Sequence, residues 1–332
     1  MKYKSVILTE RGGPEVLKVI ENEMVSPKGS EVLIKVLACG VGRTDIAMRY
    51  GYYPFAPKMP FVPGYEIVGV VEAVGTKVTQ FQIGDRVAAL TVYGGYSEYI
   101  SLEQQHLVKV PPSVKPDEAV ALVLNYVTAY QMLKRVAKVQ AGNKVLVTGA
   151  SGGVGTALLD LARLEGLKVY ALASKHKHEA IEKMGATPVD YKSGNWEGFV
   201  KSKEPEGVDY VFDGVGQSYI SKGFNQLKRG GKIVAFGYPN FKGMLLGLFK
   251  IIFLNAFPNG RKAKFYGISG VYKKDKTTIL EDLEKLFLML KEQKIKPLIS
   301  KRMPLLEASE ANAILENQAI SGKIVLVSPE LL

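Results

Sequence analysis

The chain has 332 residues, 47% hydrophobic and 23% charged, which is more than one core usually serves and excludes a disordered or fibrous chain. Its single cysteine, Cys39, excludes an intrachain disulfide and a cysteine-held structural zinc. The net charge of +12 would suit nucleic acid, an anionic membrane or a phosphorylated ligand, but the basic residues are spread out, with short clusters such as Lys273, Lys274 and Lys276. That is the pattern of a solvated surface, so no nucleic-acid partner is expected.

The opening residues, MKYKSVILTERGG, lack the basic head, apolar run and cleavage site of a secretory signal, and a cytoplasmic location is expected. Residues 1 to about 120 form short β-rich runs such as VLIKVLACGV, EIVGVVEAVG and DRVAALTVYG, broken by Gly and Pro as in a β-barrel-like domain. From about 121 the texture changes. NKVLVTGASGGVGTALLDLARLEGLKVYALAS reads strand, turn, amphipathic helix, strand, and further strands follow at VDYVFDG and GGKIVAFG, which predicts a doubly wound parallel sheet. The apolar segment Gly243 to Phe257, with one charge at Lys250, is shorter than the ~20 residues of a membrane span. A buried helix, subunit interface or pocket wall is expected there rather than membrane contact. TILEDLEKLFLMLKEQ predicts a helix with Leu280, Leu283, Phe287 and Leu290 on its core face, and GKIVLV closes the chain as a strand.

Gly149, Ala150, Ser151, Gly152, Gly153, Val154 and Gly155 follow an apolar strand and open a helix, the setting of a dinucleotide fingerprint. Glycines there let the backbone approach a pyrophosphate held by free amides at the helix N-terminus. The same letters spell G-x-S-x-G, a hydrolase elbow around Ser151, but His106, His176 and His178 are the only histidines and none lies late enough to complete a triad. The second strand of the unit ends ALASKHKHEA, with no acidic residue to hold ribose hydroxyls. Ser174, Lys175, His176, Lys177 and His178 suit a 2′-phosphate instead, so NADPH is the expected cofactor.

Taken together, FVPGYEIVGVVEAVGTKVTQFQIGDRVA, GGYSEYI, VLVTGASGGVGTALLDLA, GVDYVFDGVG, LKRGGKIVAFG and GKIVLV resemble, in order and spacing, the medium-chain dehydrogenase/reductase superfamily. Within it the chain is similar to the zinc-free quinone oxidoreductase, or zeta-crystallin-like, branch. The resemblance implies an α/β fold: a GroES-like β-barrel catalytic domain over 1–122 and 265–332, and an inserted Rossmann NADPH-binding domain over 123–264. It also implies a cleft between the domains for the nicotinamide, and a homodimer formed through the nucleotide domains. Carried over residue by residue, it places Thr128 near the nicotinamide and Ser151, Gly152, Gly153 and Val154 at the pyrophosphate. Ser174, Lys177 and Tyr191 would surround the 2′-phosphate. Gly214, Val215, Gly216, Gly237 and Tyr238 would lie toward the nicotinamide, with Lys323 a further contact.

Metal-dependent members of the superfamily carry a Cys and a His as catalytic zinc ligands where this chain has Gly42, in GVGRTD, and Tyr65, in PGYEIVG; no metal site is expected. The quinone branch commonly has Asn at the place of Gly42. Tyr53, in RYGYYP, matches the tyrosine lining the family's substrate cleft, and Tyr52 is its neighbour. Gly42, Tyr52 and Tyr53 are thus the candidate catalytic positions. The expected activity is metal-independent hydride transfer from NADPH to a quinone or enone. Reduction of an enoyl thioester is the alternative within the enzymes, and a non-catalytic NADPH-binding protein contacting RNA or membrane the alternative outside them.

Overall fold

The computed structural model describes residues 1–317 and 320–332. It divides into two compact units, Met1–Val127 with Ser269–Leu332, and Thr128–Ile268.

The first unit opens with β1 (Lys2–Leu8) and β2 (Leu17–Glu23), an antiparallel pair. Then come β3 (Glu31–Val41), helix α1 (Arg43–Arg49), β4 (Glu66–Val74), β5 (Arg86–Leu90), β6 (Tyr99–Glu103) and β7 (Val108–Lys109). EVLIKVLACGV in β3 is almost continuously apolar and buried because the strand is central, paired with β4 along much of its length and with β6 at its start.

The second unit contributes β8 (Lys144–Thr148), helix α2 (Gly153–Leu164), β9 (Lys168–Ala173), β10 (Thr187–Asp190), β11 (Val208–Asp213), β12 (Leu227–Ala235), helix α3 (Phe241–Ala256) and β13 (Lys262–Phe265). Its sheet is six-stranded and wholly parallel, in the order β10-β9-β8-β11-β12-β13. Runs such as KVLVT and VDYVFD are buried nearly throughout, as parallel strands covered on both faces must be. The strand order reverses between β8 and β11, and ligands of such sheets bind beyond the C-terminal ends of the strands at that reversal.

The chain then returns to the first unit through helix α4 (Thr277–Lys291), β14 (Ile299–Pro304) and β15 (Lys323–Val327). β15 lies antiparallel to β3 and completes a seven-stranded sheet. The fold is therefore a GroES-like unit with an inserted Rossmann-like unit.

Two sequence expectations are corrected. In α4 the expected Leu283, Phe287 and Leu290 are buried, with Ile279 and Leu286 beside them, while Leu280 is only half-buried, at the margin of the stripe. The apolar segment from Gly243 does form a helix, α3, but not a buried one. Only Gly243, Gly247 and Ile251 face inward, while Leu246, Phe249, Ile252 and Phe253 are exposed. The inward stripe is mostly glycine, so the helix seats close to the unit and turns its bulk outward.

β13 is the edge strand of its sheet, and its outer edge is occupied at one residue, Ala263. The Ala263 N–H donates to Asn255 Oδ1 at 2.9 Å, and Asn255 Nδ2 donates to the Ala263 carbonyl at 2.8 Å.

Candidate active site

The glycine turn sits where β8 ends. Gly149 adopts φ +66°, a region that favours glycine, and a Cβ at Gly155 would run into the Gly149 carbonyl oxygen. Gly152 caps α2 and, having no side chain, makes no side-chain cap hydrogen bond to the helix's first amides. An uncapped N-terminus on a helix with a buried inner face suits a pyrophosphate.

Beside it, at the end of β9, Ser174 Oγ and Tyr191 Oη are 3.1 Å apart, and Lys177 Nζ donates to Ser151 Oγ at 3.3 Å. Burial pushes the Lys177 ammonium below the ordinary lysine range, a cost that an anion beside it would relieve. The structure thus brings Ser151, Ser174, Lys177 and Tyr191 together around the adjacent ends of β8 and β9, while Lys175 and His176 face solvent. These residues fit a 2′-phosphorylated dinucleotide in charge and donor chemistry.

Gly214, Val215 and Gly216 follow β11 and are fastened by two residues that the sequence reading passed over. Asp213 accepts the N–H of Val215 at 3.2 Å and of Gly216 at 3.0 Å, and Thr148 Oγ1 accepts the Gly214 N–H at 3.2 Å while donating to Asp213. Burial raises the Asp213 pKa against the pull of these bonds. An acid at the end of an apolar strand, directly before G-V-G, is the signal that could have identified it. Gly237 and Tyr238 follow β12, and the Tyr238 ring lies 6.2 Å from Phe265. Thr128 Oγ1 is buried with no hydrogen-bond partner among the described residues, an open polar position in this unit.

In the first unit, Asp45 ties together the two places a metal-dependent relative would use. Its Oδ2 accepts the Gly42 N–H at 2.8 Å and its Oδ1 the Gly64 N–H at 3.1 Å, fixing the start of α1 against the turn that carries Tyr65. Burial raises the Asp45 carboxyl to about 6, opposed by those N–H groups and by Lys323. Tyr65, fully buried, is hydrogen-bonded to Ser269, and Tyr53 Oη lies 2.5 Å from both Tyr65 Oη and Ser269 Oγ. The two tyrosine rings meet edge to face at 5.8 Å. Burial raises the pKa of both, so the hydroxyls stay protonated and can donate. Ser269 stands in no motif and reaches the cluster only through the returning chain.

Tyr52 is half-buried, and burial raises its pKa too, but it is not in this cluster. Lys323 is committed elsewhere: its ammonium is buried against Glu66, whose Oε2 also accepts the Leu124 N–H at 2.6 Å. Burial raises the Glu66 pKa against the attraction of Lys323. Among the described residues no group of three or more His, Cys, Asp and Glu could hold a metal ion.

Two family models match the chain: an alcohol dehydrogenase GroES-like domain over residues 28–112 and a zinc-binding dehydrogenase domain over residues 184–326. Human quinone oxidoreductase is 33% identical, across 98% of this chain and 97% of its own. The synaptic vesicle membrane protein VAT-1 homolog of Danio rerio is 32% identical, across 98% of this chain and 70% of its own. The structure is similar to that of mycobacterial Rv1454c complexed with NADPH, with a TM-score of 0.84 and 27% identity, over 98% of this chain and 99% of that one.

Proposed function

Because this chain belongs to the medium-chain dehydrogenase/reductase superfamily, in the company of the quinone oxidoreductases, and is an oxidoreductase, we propose that it reduces a quinone or enone with NADPH, without a metal. The observation that carries the reading is the hydroxyl cluster of Tyr53, Tyr65 and Ser269, built at a place where metal-dependent relatives have a zinc-binding histidine.

When bound, NADPH would supply the hydride; the residues that would hold it are Ser151 to Val154 at the pyrophosphate and Ser174, Lys177 and Tyr191 at the 2′-phosphate. The chain's own task is the proton. Tyr53 is the least enclosed of the three hydroxyls and hands its proton to the reduced acceptor, while Ser269 and Tyr65 donate into the oxygen left behind. A conjugated acceptor is already electrophilic, so orientation and water exclusion are what the protein must add. The reading includes the cytoplasmic location and homodimer set out from the sequence.

The test follows absorbance at 340 nm as NADPH or NADH is oxidised against quinones, enones and enoyl thioesters, with and without a chelator. Chelator-insensitive turnover that prefers NADPH and a quinone or enone is expected. Turnover of a crotonyl thioester alone would move the acceptor to the thioester class. Tight NADPH binding with no turnover on any acceptor would overturn the enzymatic reading.

A further inference from the structure

Ser269 reaches the hydroxyl cluster from a helix too short to hold itself. The helix, Ile268–Lys274, has seven residues, well below the roughly 12–15 at which an isolated helix begins to persist in water. Its place must come from what its side chains grip. Ser269, Tyr272 and Lys273 stand at i, i+3 and i+4, which puts them on one face. Each has a partner in the GroES-like unit. Ser269, 3% exposed, is hydrogen-bonded to Tyr53 and Tyr65. Lys273 Nζ lies 4.3 Å from the centre of the Phe55 ring, which meets the Tyr53 ring edge to face at 6.0 Å. Tyr272 Oη is 2.6 Å from His106 Nδ1, with the ring centres 5.8 Å apart.

The first two grips belong to the cluster and its flank. Of the three, the bond to His106 alone is anchored outside it, between β6 and β7. The protonation states suit a lasting bond there. Burial and the charge of Lys276 hold His106 below the ordinary histidine range, with Glu103 opposing them, so at neutral pH the ring is uncharged and one of its nitrogens can accept. Burial pushes the Tyr272 pKa up to about 12, so its hydroxyl keeps a proton to give. Such a tether matters because a proton donor tolerates little displacement: about 1 Å at a reacting group can cost on the order of 100-fold in rate.

We propose that His106 is a positioning residue for the proton transfer: through Tyr272 it sets the short helix, and so the distance and direction at which Ser269 meets Tyr53. This rests on the reading of Tyr53 as the proton donor. The test follows NADPH oxidation with 1,4-naphthoquinone, together with hydrogen exchange of residues 268–274 by mass spectrometry on the full chain. H106L and Y272F should each lower kcat by about tenfold, leave the quinone KM and the NADPH dissociation constant as in the parent, and speed exchange in 268–274 by about fivefold, the worth of one hydrogen bond. H106N, whose amide can stand in for the Nδ1 end of the ring, should restore most of kcat. In an S269A background H106L should cost nothing further, because its effect runs through Ser269. An undiminished effect of H106L in that background, a change confined to KM or the thermal midpoint, or an unchanged kcat would overturn the inference. Y53F separates it from the reading beneath. If Y53F lowers kcat and H106L does not, His106 positions nothing and the Tyr53 mechanism stands; if Y53F leaves kcat unchanged, both fall.

Discussion

The two units build their candidate sites from different materials. In the GroES-like unit the site consists of side chains bonded to side chains: Tyr53, Tyr65 and Ser269 in one cluster, Glu66 and Lys323 in a buried pair, and Asp45 holding two loops. In the Rossmann-like unit the centre is backbone, a glycine turn and uncapped helix amides, with Ser174, Lys177 and Tyr191 at its rim. A backbone site keeps its ligand class whatever surrounds it, because every residue offers the same amide. A side-chain site changes its chemistry with each replacement, which is how Gly42 and Tyr65 can stand where relatives hold metal while the frame persists.

Substitutions can sharpen this contrast. The largest effect is expected from Lys323→Ala, which leaves Glu66 charged and buried and should cost about 3–5 kcal/mol in denaturant unfolding; pairing it with Glu66→Leu should recover most of the loss. Tyr53→Phe should lower kcat by about 100-fold, the lower range for a positioned proton donor, with NADPH affinity unchanged by fluorescence titration. Unchanged turnover would remove Tyr53 from the mechanism. Lys177→Ala should raise the NADPH dissociation constant by about 10- to 100-fold, the value of one charge-assisted hydrogen bond, and leave NADH binding as it was. If both cofactors weaken equally, the rim does not read the 2′-phosphate.

The smallest effect is a difference in pH response. Asp45 has a folded pKa of about 6, above its ordinary 3.8, so the folded state holds its proton more tightly. Its contribution is complete below the ordinary value and is lost as pH rises through about 6. Glu204 in the other unit is opposite: burial pushes it up, but hydrogen bonds from Lys144, Lys168 and Tyr170 prevail and hold it at about 2, below 4.5. That contribution is present above the ordinary value and lost as pH falls toward 2. Trp196, the only tryptophan, is buried in the second unit, so its fluorescence reports that unit alone. Acidification should therefore register in Trp196 emission before far-ultraviolet circular dichroism shows loss of the other unit. Coincident transitions would refute the contrast.

Much of the fold was legible, because the pattern that announces a buried parallel strand or a glycine turn is local. VLVTGASGGVG carries its own strand, turn and helix start. Ser269 was not legible: it has no motif, and only a strand order that sends the chain back to the first unit brings it to Tyr53. The exposure of α3 was hidden for a related reason. Apolar composition states a need for cover, but whether the fold supplies it depends on neighbours, and here Gly243 and Gly247 supply almost none. In α4 the periodicity and phase were legible at Leu283, Phe287 and Leu290, and only the edge of the stripe differs, with Leu280 at its margin and Ile279 and Leu286 inside it.

Asn255 carries a consequence for how this protein behaves when concentrated. A bare sheet edge beside an oily surface is a template on which further chains can add strand by strand, the route to self-propagating aggregates. By imitating a peptide group, one amide side chain closes that template at Ala263. Asn255→Leu would remove the imitation and keep the bulk, and should convert a dispersed protein into one whose turbidity grows with time and seeding.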